Sequence, residues 1–241
     1  YAVINNNIPF FTDDTITTQT YESYSDLDHL NRPGIATACL GIETMPPENE
    51  ERGQIGMIKP VGWHTVKYTK LISDLYLYNR CHLIGWQLSG ENANELNLIT
   101  GTRYLNITGM LPFENDTANY IERTSNHVMY RVTPVYTGDN LLCDGLLMEA
   151  RSIEDDGLSF CIYCYNIQPG ITIDYATGNS WENDTPTDSA SLEPNTTESV
   201  TENHYILNTN SIKIHTPDCP YVAKIKDYNK NKVVCDMRNL E

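Results

Sequence analysis

The chain has 241 residues, 40% hydrophobic and 20% charged, the balance of a soluble globular protein with one sizeable core and an appendage. No apolar run approaches the roughly 20 residues of a membrane helix, so no membrane partner is expected. The net charge of −16, from 32 acids against 16 bases, is the reverse of the basic footprint common to nucleic-acid binders; any phosphate contact is left to a few local cations.

Residues 1–26 are polar and Thr-rich around one apolar knot, Pro9-Phe10-Phe11, and read as an extended arm laid over the core. The sequence opens on Tyr1 rather than Met, which fits a leader no longer attached. Residues 35–42 and 56–60 read as short strands bounded by Gly and Pro, with a charged loop, 45–53, between them. A strand is predicted at 75–83 and one or two helical turns at 92–96. A helix follows over 113–125, where Phe113, Thr117, Ala118, Tyr120 and Ile121 recur at near-helical spacing and Pro112 stands at the start. Residues 126–133, 146–152 and 160–166 alternate like half-buried strands, and 171–175 make a last short one. Cys161 and Cys164 then fall on opposite faces, which disfavours a Cys-x-x-Cys metal site. The seven scattered cysteines form no disulfide framework and read as buried thiols; Cys81 reads as a packing residue.

After Gly178 the composition changes. Residues 179–203 hold six acids, no Lys or Arg and little to bury, and read as an acidic flexible linker between a domain at 1–178 and a small basic module at 204–241. Setting those six acids aside, acids still outnumber bases by 26 to 16. The module carries His215, Cys219 and Cys235, three soft donors where a zinc site needs about four, so a zinc site stands beside a truncated or unstructured tail.

The chemistry concentrates between residues 78 and 106. Arg80 and His82 close an apolar strand-like run, an Asn-rich segment follows, and Asn106 stands just before the predicted helix. A histidine takes a proton from water near neutral pH. An asparagine is a neutral oxygen ligand for a hard, hydrated cation such as Mg²⁺. An arginine fixes positive charge where a phosphate must sit.

Several blocks in order carry a resemblance. They are residues 27–36 (LDHLNRPGIA), Met45-Pro46, 55–63 (IGMIKPVGW), 78–85 (YNRCHLIG), 90–94 (GENAN), 97–104 (NLITGTRY), 110–114 (MLPFE), 126–134 (NHVMYRVTP) and 168–175 (QPGITIDY). Over residues 1–178 the chain resembles the DNA/RNA non-specific endonucleases, the ββα-metal or His-Me finger class, and most of all its secreted bacterial branch. The resemblance implies an α+β fold with a mixed or antiparallel sheet, and hydrolysis of DNA and RNA to 5′-phosphate and 3′-hydroxyl ends. It makes His82 the general base and Asn106 the ligand of one Mg²⁺ or Mn²⁺ ion. Asn97 would orient His82 or the scissile phosphate. Glu114 or Glu122, with Glu114 slightly favoured, would hold a water of the ion's shell. Arg80 and Arg103 would stabilise the phosphorane, with Lys59, Lys67 and Arg123 as further phosphate contacts. The family's commoner Asp before the Arg is Asn79 here, and Cys81 replaces Gly; Asn79 stabilises a protonated base less, so lower activity or a shifted pH optimum is expected.

Bland readings stand beside these. His64 and His127 read as structural, His29 as surface, Asn92 and Asn94 as turn formers, and Trp63 and Trp86 as core or rim. Two rivals remain: a delivered toxin or uptake nuclease with the same site, and an extracellular nucleic-acid-binding module that has lost the chemistry.

Overall fold

The computed structural model describes residues 1–72 and 75–183, and the backbone of three strands at 204–208, 213–215 and 230–234. The elements of the larger unit are β1 (Ala2–Val3), β2 (Tyr21–Tyr24), β3 (Ala36–Leu40), β4 (Tyr78–His82), α1 (Trp86–Ser89), β5 (Leu98–Thr102), α2 (Leu111–Thr124), β6 (Val128–Val135), β7 (Gly145–Ser152), β8 (Ser159–Tyr165), β9 (Ile171–Ile173) and β10 (Ser180–Glu182). The fold is α+β, and every strand pair is antiparallel. The main sheet runs β1-β8-β7-β6-β3-β2, while β4-β5 and β9-β10 are separate pairs. Tyr1–Thr185 form one compact unit and Pro186–Glu241 another. In the second, β11 (His204–Asn208) pairs with β12 (Lys213–His215) and β13 (Lys230–Val234). The zinc reading of Cys219, Cys235 and the His215 side chain lies outside the described residues.

The sheet buries both faces. One packs Ala38, Leu40, Tyr130, Met148 and Ile162 against Cys81, Leu83, Ile99, Leu105 and Met110 of the ββα layer formed by β4, β5 and α2. The other packs Cys39 and Met129 against Phe11, with Ile16 alongside. The amino-terminal arm therefore does more than lie on the core. It supplies both edges: β1 pairs with β8 at one side and β2 with β3 at the other, so residues 4–20 cross the sheet as a strap. Glu149 fastens it midway. Its side chain is buried, accepts two bonds from Arg131 at 2.7 and 2.9 Å, and accepts the Phe10 N–H at 2.7 Å. Cys161 pairs with Glu149 across β7 and β8, while Cys164 packs into the ββα-facing core, so the two thiols do lie on opposite faces. All five described cysteines are free and buried.

Three elements differ from expectation. Residues 56–60 make no strand: Ile58 closes a turn onto Ile55 and Trp63 onto Pro60, and the chain turns its carbonyls elsewhere. β5 shows no alternation in sequence because all five of its residues are buried. Beyond Gly178, β10 pairs with β9, so paired backbone runs into the stretch read as linker. Among the described residues no helix is long and apolar enough to cross a membrane.

Candidate active site

β4 ends on His82, 6% exposed, in register with Leu98 of β5. Both ring nitrogens are engaged. Nε2 lies 2.8 Å from the Asn92 carbonyl, which can only accept, so Nε2 carries the hydrogen. Nδ1 is then the lone-pair nitrogen, and it accepts from the Arg52 guanidinium at 3.0 Å. Burial, with the Arg52 charge adding to it and the Asn92 bond opposing it, lowers the His82 pKa to about 4, so the imidazole is neutral at physiological pH. A Cβ on Gly53 would come within 2.7 Å of the Asn92 amide, which shows how closely the 52–53 and 92 loops meet beside His82.

Beside Arg52 lies a cleft of about 650 Å³. It is lined by three arginines, Arg52, Arg80 and Arg103, by Asn79 and Asn106, and by Trp63, Tyr76 and Tyr78; among the described residues no Asp or Glu lines it. In a chain of net charge −16 that local sign is the reverse of the whole. Arg80 is preset: its Nε donates to the Ile58 carbonyl and its Nη2 to Gly56 O at 2.9 Å, while its guanidinium lies 4.1 Å from the Trp63 ring centroid. The turn at 56–60 is thus a cradle for an arginine, which a regular strand with paired carbonyls is not.

Asn106 sits in a π-helical turn, Leu105–Met110, that runs into α2; its carbonyl accepts the Leu111 N–H. Wide turns of this kind recur at functional sites because they push a side chain off the regular helical path. Glu114, on the first turn of α2, is 8% exposed and faces Gly85, where a Cβ would meet its carboxyl carbon at 3.1 Å. Burial raises its pKa to about 7, with Arg52 the opposing charge. Arg52 thus influences His82 and Glu114 while lining the cleft.

The structure brings Arg80, Arg103 and Asn106 to one cleft, with His82 reached through Arg52 and Glu114 behind it. It sets two expected residues apart. Asn97 is fully buried and spends its amide on Ile84, accepting from Ile84 N at 2.9 Å and donating to Ile84 O at 3.0 Å, so it braces the chain just after His82. Glu122 is solvent-exposed on α2 and does not line the cleft. Of the further cations, Lys67 lies over Tyr76 at 4.7 Å, and neither Lys59 nor Arg123 lines the cleft. His64 bonds Thr177 O and His127 bonds Glu154, both structural pairings. Arg52 was missed. Its signal was there: it is the only cation in the loop 45–53.

The donor set suits a hard, hydrated cation. Asn106 offers an amide oxygen to the cleft, Glu114 lies outside its lining, and among the described residues no thiol lines it. His82 has both nitrogens committed.

A family model described as DNA/RNA non-specific endonuclease matches residues 12–154, a span that holds the strap's anchor, the cleft, His82 and Glu114. NucA from Streptococcus agalactiae with no metal bound is 27% identical with a TM-score of 0.65, over 75% of this chain and 86% of that one. NucA with magnesium ion bound is 26% identical with a TM-score of 0.65, over 76% and 88%. The fold is shared too with Sda1 nuclease with bound zinc ion, 24% identical, TM-score 0.61, over 71% and 93%. Built on that fold and matched over most of its length, the chain belongs to the DNA/RNA non-specific endonuclease family.

Proposed function

We propose that the protein is a secreted, divalent-cation-dependent endonuclease that hydrolyses DNA and RNA without regard to the sugar, leaving 5′-phosphate and 3′-hydroxyl ends. One observation carries the reading most: the Asn92 carbonyl holds the Nε2 hydrogen of His82, so the basic nitrogen is Nδ1, facing the arginine of a cleft that also holds Asn106. A neutral imidazole with one fixed lone pair is a general base for water.

Arg52 occupies that lone pair in the resting protein. A substrate phosphate competes for the guanidinium, because a charge-assisted bidentate bond is stronger than one to a neutral ring. Arg52 then moves its donors to the phosphate and uncovers Nδ1 for water. Arg80, seated by Gly56, Ile58 and Trp63, keeps donors for the same phosphate without having to reorganise, and Arg103 adds charge from β5's end. Asn106 would hold the cation, with Glu114 near it; the ion supplies Lewis acidity at the phosphate. Mg²⁺ or Mn²⁺ fits the oxygen donors best.

The test is plasmid nicking by the purified protein with Mg²⁺, Mn²⁺ or EDTA. EDTA should abolish cutting, and His82→Ala should slow it at least about 10²-fold with an unchanged unfolding midpoint. Asn106→Ala should lose Mg²⁺ binding by calorimetry. A His82→Ala protein that nicks like wild type ends the base assignment, and unaltered Mg²⁺ binding by Asn106→Ala ends the ligand assignment.

A further inference from the structure

The cleft extends past the groups that the hydrolysis uses. Its lining includes Tyr76, a large aromatic side chain left 43% exposed. The other two cleft aromatics are occupied. Trp63 is covered by Arg80 and packs its body on the second core cluster, and Tyr78 is buried with its hydroxyl donating to Gly178 O. Tyr76 differs. Lys67 lies over its ring at 4.7 Å, and a β-bridge between the same two residues fixes the backbone beneath it. The flanking bonds Tyr68 N to Leu75 O and Leu77 N to Val66 O, 2.8 and 3.0 Å, clamp that backbone on both sides. One cation face is thus satisfied, and the rest of the ring opens on a cleft whose volume falls in the roughly 300–1,000 Å³ of a small-ligand site.

We propose that Tyr76 is a base-stacking subsite, taking one unpaired nucleobase of the strand whose phosphate sits on Arg80 and Arg103. The proposal rests on the nuclease reading and adds what that reading lacks, a preference between strand forms. A π-face accepts any base, so the subsite keeps sequence indifference. It demands an unstacked base, which a single strand offers freely and a duplex offers only after unpairing. It also answers the charge problem: with three cleft arginines in so acidic a chain, stacking supplies affinity that Coulomb attraction does not.

The experiment compares wild type, Tyr76→Ala and Tyr76→Phe on three fluorescent probes: a single-stranded thymidine 12-mer, its duplex, and an abasic 12-mer with the same phosphates. Binding is read by anisotropy in EDTA, and cleavage in Mg²⁺. Wild type should bind the thymidine strand more tightly than the abasic one. Tyr76→Ala should cut that advantage, and the single-to-double-strand ratio of kcat/KM, by about tenfold. Tyr76→Phe should keep both. A wild type without the advantage, or a Tyr76→Ala protein that retains it, overturns the proposal. If wild type cleaves nothing yet the binding advantage disappears in Tyr76→Ala, the nuclease reading falls and the subsite stands.

Discussion

His82 is the residue on which local geometry and titration meet. Its pKa of about 4 lies below the ordinary 6.5, chiefly through burial. The unfolded chain takes up a proton near 6.5 that the folded site refuses, so stability is full above 6.5 and declines as pH falls toward 4. Guanidinium unfolding of wild type and His82→Gln, without metal, should give midpoints that converge as pH falls from 8 to 4; parallel curves would show that the ring is not held neutral. His82, Arg80 and Asn106 were legible in the sequence because they share one short window and an order of blocks. Arg52 was not, because its contact spans thirty residues and exists only once two loops close over the ring. Asn97 was legible as part of a motif block, but not that its amide bonds the Ile84 backbone, two residues beyond His82.

At the scale of elements, the strap and the ββα layer share the main sheet between them. Glu149 joins sheet to strap through Arg131 and Phe10 N, with Arg131 also 4.8 Å from the Phe11 ring. Glu149→Ala strands a guanidinium and a backbone donor, at a cost of about 3 kcal/mol, the low end for breaking a buried pair. For a chain of this size that lowers Tm by about 6–12 °C; a loss under about 2 °C in calorimetry would show that the strap holds on through Phe11 and Ile16 alone. The helix over 113–125 and the strands over 126–166 were readable from periodicity. β1 and β2 were not, since two to four residues at a sheet edge are too short to carry a pattern until their partners exist. β5 was hidden by burial on both faces.

For the whole molecule, the contrast is between an acidic chain and a cationic cleft. Three arginines set a ceiling of about three phosphate contacts, so kcat/KM on subsaturating duplex DNA should fall by about ten- to fortyfold between 50 and 200 mM monovalent salt at fixed Mg²⁺. A flat profile would mean that phosphate charge does not limit binding. The division at 185/186 makes a second prediction. Protein ending at Thr185 should keep kcat/KM within about tenfold, whereas protein ending at Gly178 loses β10 and should melt several degrees lower. Equal melting of the two would show that β10 contributes nothing to the fold. Composition pointed to a boundary near this place, and β10 eluded it because Ser-Trp-Glu is too short to have a period.

The strap also orders events in time. Ala2 pairs with Tyr163 and Val3 with Ile162, so during synthesis these two residues wait for about 160 more before their partners arrive. Closing so long a loop is entropically costly and slow, and it places completion of the sheet late in folding. The ββα layer rests on that sheet. In this order the sheet under the ββα layer gains its β1 edge only after β8 has been delivered.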